Sequence, residues 1–268
     1  MFDDHLARWG LVPDGEPIAT HSSRLLPVQR DGAPAILEIA LCSEERCAGL
    51  LMLWWNGDGA ARVLAYDGTA FLLERATGGA SMSAMARDGH DDEASRIICA
   101  VAARLHAPPR RPPPELIPLS RLFEELGPAA SRHGGLLADF AGTARALLAA
   151  PEDIAVPHGD LHHHNVLHFG HFGPRGWLAI DSKRLVGERT FDFANLLRNP
   201  EHGDPMRPGR LARQVRAIAE AAALDPRRLI RWTLAFAGLS AAWLIGDGET
   251  PTLDLAVAEL AAAELARA

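Results

Sequence analysis

The four residues Ala76-Thr77-Gly78-Gly79 separate two stretches of unlike periodicity, and that change limits the folds open to the chain. Before them the pattern is mostly that of strands. "AILEIA" (Ala35 to Ala40) alternates behind the turn signal "RDGAP", and "ARVLAYDGTAFLLER" (Ala61 to Arg75) is two apolar runs joined by Asp67-Gly68, a hairpin signal. Between them "SEERCAGLLMLWW" has helical spacing, with Ser43 as N-cap, Glu44 and Glu45 in the first turn, and "NGDG" as its stop. The order expected there is strand, helix, strand, strand.

Beyond Gly79 the apolar residues recur at three and four. Helices are expected over 91–107, over "LSRLFEEL" and over "LLADFAGTARALLAA", with "PPRRPPP" as an extended surface segment between the first two. "WLAID" (Trp177 to Asp181) reads as a short strand, and from about Arg207 the chain is helical, broken near Asp225-Pro226 and at "GDGETP". A sheet-rich front part and a larger helical back part define an α+β, two-lobed plan. The expected division is residues 1–75 and 76–268, with a hinge about 74–79. Ligands bind readily at such junctions.

A net charge of −7 argues against nucleic acid as a partner and suits a cationic small molecule. Cys42, Cys47 and Cys99 lack metal-type spacing and read as reduced thiols. The polar start "MFDDHLARWG" does not read as a signal peptide, and no apolar run is expected to approach the length of a membrane span, so a cytoplasmic monomer or dimer is expected. Lys183 is the only lysine, and no Gly-Lys pair exists to form a Walker A loop.

"VPHGDLHHHNVLHFGHFG" (Val156 to Gly173) holds six of the twelve histidines. Three readings compete. A structural zinc site needs about four convergent ligands, whereas consecutive His162, His163 and His164 splay to alternate faces, and Pro157 and Gly159 disfavour a helix. A solvated loop explains the polarity but not the apolar strand that follows. Phosphoryl transfer needs a carboxylate to take a hydroxyl proton, an amide oxygen a few residues on for metal, and a second carboxylate at a strand end. Asp160, Asn165 and Asp181 match in type, order and spacing through "HGDLHHHN" and "WLAID".

On these residues, and on "WWNGDGAARVLA", "FLLERATG" and "ARLHAP", the chain resembles the aminoglycoside phosphotransferases, in particular the branch of streptomycin 6-phosphotransferases and hydroxyurea phosphotransferases. The resemblance implies a two-lobed protein-kinase-like fold, with a small N-terminal antiparallel-sheet lobe and a larger, mainly helical C-terminal lobe. It implies an ATP- (or GTP-) and Mg²⁺-dependent transfer to an alcohol on a cationic aminoglycoside such as streptomycin. Asp160 would be the catalytic base, and Asn165 and Asp181 the metal ligands. His158 would pack under the catalytic loop, and Asp192 would brace it through backbone N–H groups or act as a plain N-cap. Ser22 and Ser23 would occupy the phosphate-covering turn, and the backbone near Glu74 and Ala76 would hold the purine. His162, His163, His164, His168 and His171 are left as loop or rim residues. Glu188, His202, Asp204 and Asp247 are candidate carboxylate or polar contacts to substrate, with Trp243 for stacking.

One position departs from the family. The third strand of such enzymes carries a lysine for the nucleotide phosphates, and Glu38 stands there. Two like charges ~4 Å apart repel by ~4 kcal/mol at an effective dielectric of ~20. Glu38 could turn away while Arg24 or Arg46 supplies the charge, or the protein could be a catalytically impaired, pseudokinase-like binder. Glu45 is the expected acidic partner on the next helix. Lys183, in the family's "ID-x-K" pattern, could approach the phosphate or pair with a surface acid.

Overall fold

The computed structural model describes residues 1–107, 109–170, 173–201 and 205–267. Helix α1 (Asp3–Trp9) is followed by strands β1 (Leu11–Pro13), β2 (Ile18–Ala19), β3 (Ser23–Arg30) and β4 (Ala33–Ala40). Helix α2 (Ser43–Trp55) and the hairpin β5 (Val63–Tyr66) and β6 (Ala70–Glu74) complete an antiparallel sheet of order β1-β3-β4-β6-β5, with β2 beside β3.

Three of these strands were not expected. β3 hides its period because Pro27 interrupts it. Pro27 is tolerated because it lies opposite the gap between β1, whose register stops at Val28, and β2, which starts at Leu25. Ser43 is also not the N-cap expected. Cys42 holds that position without a side-chain cap, and the Ser43 hydroxyl donates to Glu44 at 3.1 Å.

β4 has two different faces. Ala35, Leu37 and Ile39 pack with Leu26, Val28 and Leu72 in a small core covered by Phe2 and by Leu6 and Trp9 of α1. Ile36 and Glu38 point the other way, and the register sets Glu38 between Leu25 and Phe71. α2 lies across that second face, where a Cβ on Gly49 would meet the Phe71 ring at 2.2 Å. The indoles of Trp54 and Trp55 donate to the carbonyls of Arg111 and Leu105 at 2.9 Å each, and Arg111 bonds back to the Trp54 carbonyl. The Pro/Arg segment is therefore pinned to the end of α2.

The helical part comprises α3 (Met82–Met85), α4 (Asp91–His106), α5 (Leu119–Leu122), α6 (Leu126–His133), α7 (Gly135–Ala149), α8 (Ala194–Arg198), α9 (Arg210–Ala222), α10 (Pro226–Gly246) and α11 (Thr252–Leu265). Three small strand pairings are threaded through it: β7 (Ile117–Pro118), β11 (Leu185–Glu188) and β8 (Ile154–Ala155) form one sheet, and β9 (Val166–His168) and β10 (Trp177–Ala179) form a hairpin.

α10 corrects the expectation that no apolar run reaches membrane-span length. It has 21 residues, and an 18-residue stretch of it averages 1.4 in hydropathy, long and apolar enough by composition to cross a bilayer, but 72% of that stretch is buried inside the protein. It is the central helix of the core, started by the Asp225 cap and Pro226. At Gly238 a Cβ would meet Phe140 of α7 at 2.4 Å, so the two helices cross at close range.

Candidate active site

Asp160 sits on a loop whose backbone is bonded from below. Both oxygens of the buried Asp192 carboxylate accept backbone N–H groups, from His158 and Gly159, at 2.7 Å each, and His106 adds a third contact at 2.8 Å. The His158 ring is fully buried, and that burial holds its pKa below the ordinary value despite the nearby carboxylates. As a neutral imidazole it donates from Nε2 to the Ile180 carbonyl at 2.8 Å and accepts the Asp160 N–H at Nδ1, 3.3 Å. Gly159 has φ +87, and a Cβ there would lie 2.8 Å from the Lys183 Cβ. Only glycine suits that turn.

Each oxygen of the Asp160 carboxylate has an amide donor. Asn195 Nδ2 reaches Oδ1 at 2.8 Å, and Asn165 Nδ2 reaches Oδ2 at 3.3 Å and the Asp160 carbonyl at 2.9 Å. Burial alone would raise this acid. His162, whose Nε2 stands 3.7 Å from Oδ1, together with His158 and Lys183 outweighs it and holds the pKa below the usual carboxylate range. The Asn165 amide nitrogen is committed to Asp160, so Oδ1 is its remaining ligand atom.

The β9–β10 hairpin brings Asp181 to the same place. Val166 pairs with Ala179, and the Ile180 N–H continues the ladder to the Asn165 carbonyl at 2.9 Å. Asp181 follows with φ 55, a left-handed conformation uncommon for a side chain larger than glycine. Lys183 Nζ lies 2.9 Å from Asp181 Oδ1. Burial would lower the lysine pKa, but Asp181, Asp160 and Glu45 together raise it. Asn165 and Asp181 offer oxygen donors only, a set that suits a hard divalent cation. Among the described residues no group of three or more His, Cys, Asp or Glu side chains could hold a metal. The histidine run is dispersed: His162 faces Asp160, buried His163 lies 4.0 Å from Asp91, and His164 meets Ser83. His171 falls outside the described residues.

Next to these groups is a cavity of about 430 Å³ between the sheet and the β9–β10 hairpin. Leu25, Ile36, Met52, Leu73, Leu167 and Ile180 supply apolar walls, and the chain from Glu74 to Ala76 forms an edge. The Glu74 carboxylate is held by Arg175 at 2.8 Å and by the Arg62 N–H, which leaves the backbone as the accessible part of this edge. Ser22, in the β2–β3 connection, and Ser23, the first residue of β3, line the opposite rim, with Ser22 donating to Glu45 at 2.6 Å.

Glu38 also lines this cavity and does not turn away. Burial, then the charges of Glu45 and Asp181, push its pKa up to about 7. The arginines considered as replacements do not approach it. Arg24 is on the other face of β3, bonded to the Thr20 and Ser23 carbonyls at 2.7 and 2.9 Å. Arg46 stands a quarter-turn from the α2 stripe (Glu45, Ala48, Gly49, Met52) that faces the cavity.

The expected substrate contacts fare differently. Glu188 is not available to a ligand: it is buried, ion-paired to Arg228 and bonded to the Trp232 indole at 2.8 Å and the Glu152 N–H at 3.1 Å. Trp243 packs edge-on against Phe236 on the main core, and Asp247 is exposed at the end of α10. His202 and Asp204 lie outside the described residues. Asn195 was missed. Its only signal is "FDFAN", where it follows Asp192 by three residues, Asp192 lying in the 3-10 turn that leads into α8 and Asn195 in α8 itself.

Comparison with known proteins identifies the family and the fold. Residues 8–248 match the model of a family described as aminoglycoside/hydroxyurea antibiotic resistance kinase. The chain is 48% identical to streptomycin 3''-kinase of Klebsiella pneumoniae over 96% of its own length and 98% of that protein. It is 34% identical to streptomycin 6-kinase of Streptomyces griseus, covering 96% and 85% respectively. A choline/ethanolamine kinase family protein from Mesorhizobium loti superimposes with a TM-score of 0.68 at 15% identity, over 99% of this chain and 96% of that one. The fold is thus protein-kinase-like, and the chain belongs to the aminoglycoside/hydroxyurea antibiotic resistance kinase family.

Proposed function

We propose that the protein transfers the terminal phosphoryl group of ATP or GTP to a hydroxyl of streptomycin or a close aminoglycoside. On this reading residues 1–75 form the nucleotide-binding lobe and 76–268 the catalytic and acceptor lobe, with the chain about 74–79 as hinge. The observation that carries it is the Asp160 carboxylate, fixed by two amides beside Asp181. Asp160 aligns the acceptor hydroxyl and takes its proton. A low pKa suits this role, because the proton leaves late in a loose transition state and the carboxylate must be ionised to receive it.

Asn165 and Asp181 would hold Mg²⁺, which supplies charge neutralisation to the phosphate oxygens when bound. The apolar cavity walls take the purine, with its edge against the backbone from Glu74 to Ala76, and the turn at Ser22 and Ser23 covers the phosphates. His158 and Asp192 hold the loop rigid. The net charge of −7 favours a substrate bearing guanidinium or ammonium groups, and exposed Asp247 remains a candidate contact for them. The protein works in the cytoplasm as a monomer or dimer, with no nucleic-acid or membrane partner.

The two relatives carry names that specify different hydroxyls, 3'' and 6, so the acceptor position is open. Transfer of labelled γ-phosphate to streptomycin, with NMR of the product, tests the assignment and locates the phosphate. Absence of transfer to streptomycin, other aminoglycosides and hydroxyurea would overturn it.

A further inference from the structure

We propose that Lys183 is the phosphate-binding cation of this active site, approaching from the helical lobe because the strand position that faces the phosphates holds Glu38. The inference rests on the phosphotransferase reading above. Three carboxylates line the polar end of the cavity, Glu38 from β4, Glu45 from α2 and Asp181 just after β10, and a fourth, Asp160 of the catalytic loop, acts on the same Lys183. A nucleotide triphosphate brought there without a compensating cation would meet only like charge.

Lys183 is placed among those four groups. Its Nζ is 2.9 Å from Asp181 Oδ1, its Cβ abuts the Gly159 turn, and its charge is felt at Glu38 and Asp160. Its backbone N–H donates to the His158 carbonyl at 2.6 Å, which ties the root of the side chain to the catalytic loop. Three arginines of the surrounding elements are committed elsewhere. Arg24 bonds two carbonyls on the far face of β3, Arg75 is paired with Asp14 at the purine end, and Arg175 holds Glu74.

The Lys183–Asp181 pair is itself about half exposed, with side chains 42% and 46% accessible, and such a pair contributes little stability. A magnesium nucleotide brings a cation for Asp181 and an anion for Lys183 together. Both halves of the pair are then repartnered at small cost, and the ammonium group gains a charge-assisted bond to a phosphate oxygen.

The test is calorimetric binding of Mg-ADP, Mg-ATP and AMP to the full-length protein and to Lys183→Met, Lys183→Arg and the double variant Lys183→Met/Glu38→Lys, with circular dichroism and melting to confirm folding. Lys183→Met is expected to weaken Mg-ADP and Mg-ATP by about 10- to 100-fold while AMP changes little. Lys183→Arg should retain most of the affinity, and returning a cation to position 38 in the double variant should recover it. In turnover assays the loss should appear in KM for the nucleotide as well as in kcat, with KM for the acceptor unchanged. Equal Mg-ADP affinity in wild type and Lys183→Met overturns the proposal. Wild type that binds Mg-ATP but transfers nothing overturns the phosphotransferase reading alone, and wild type that binds no nucleotide overturns both.

Discussion

Asn195 and Asn165 grip opposite oxygens of the Asp160 carboxylate, at 2.8 Å on Oδ1 and 3.3 Å on Oδ2. Asn195 is itself oriented, because Asn199 Nδ2 donates to its side-chain oxygen and its carbonyl at 3.0 Å each. The carboxylate is therefore aimed by a chain of amides running back into α8. Asn195→Ala frees one oxygen and lets χ2 of Asp160 rotate. Misplacing a proton acceptor by a fraction of an ångström should lower kcat about 10- to 100-fold with little change in nucleotide KM. Steady-state kinetics checks this, and a kcat within twofold of wild type would show that Asn195 does not position the base.

The same loop depends on Asp192 for its shape. Removing that carboxylate strands two backbone N–H groups and the His106 ring in a site with essentially no solvent. Asp192→Ala should cost about 3–5 kcal/mol, as loss of one member of a buried charged cluster does. Urea denaturation would register it as a lower midpoint at unchanged slope.

Glu188 illustrates how a sequence reading can misplace an acid. It bonds Arg228, the Trp232 indole and the Glu152 N–H, and the sequence holds no sign that Arg228, forty residues later, would be drawn inward to meet it. By contrast Asp160, Asn165 and Asp181 were legible, because a five-residue spacing plus a strand-end aspartate is a local pattern and the β9–β10 hairpin closes it locally. β3 was not legible: its identity as a strand comes from pairing with β4 on one side and with β1 and β2 on the other, which overrides Pro27. Asn195 was equally hidden, since an asparagine near a helix start ordinarily reads as a cap.

A prediction follows for Glu188 itself. Glu188→Ala strands the buried Trp232 indole and the Glu152 N–H and takes one of the two carboxylates from Arg228, which keeps Glu152, so it should destabilise the fold by about 2 kcal/mol. KM for streptomycin should stay within about twofold, because the side chain does not reach solvent. A large rise in acceptor KM at unchanged stability would instead restore Glu188 as a substrate contact.

Glu38 should make the protein pH-sensitive in a range where most carboxylates are silent. Burial and the charges of Glu45 and Asp181 lift its pKa from 4.5 to about 7. Below pH 4.5 the acid is protonated both folded and unfolded, and it costs nothing. Between 4.5 and 7 the unfolded chain releases the proton while the folded chain keeps it, so stability falls as pH rises. Above 7 the full penalty is present, at most about 3 kcal/mol and less for a side chain that is only partly buried. On the proposed function, ionised Glu38 would also face the nucleotide phosphates, because it lines the cavity assigned to them. Glu38→Gln removes both effects, so its melting temperature should exceed that of wild type at pH 8 and converge with it near pH 5. The Kd for Mg-ADP, measured for both proteins from pH 6 to 8, should diverge as wild type weakens several-fold relative to the variant. The comparison between the two curves cancels the titration of the nucleotide itself, which is common to both. Parallel curves would mean that Glu38 keeps the same charge throughout, and that the repulsion at this wall of the cavity is already neutralised by another group.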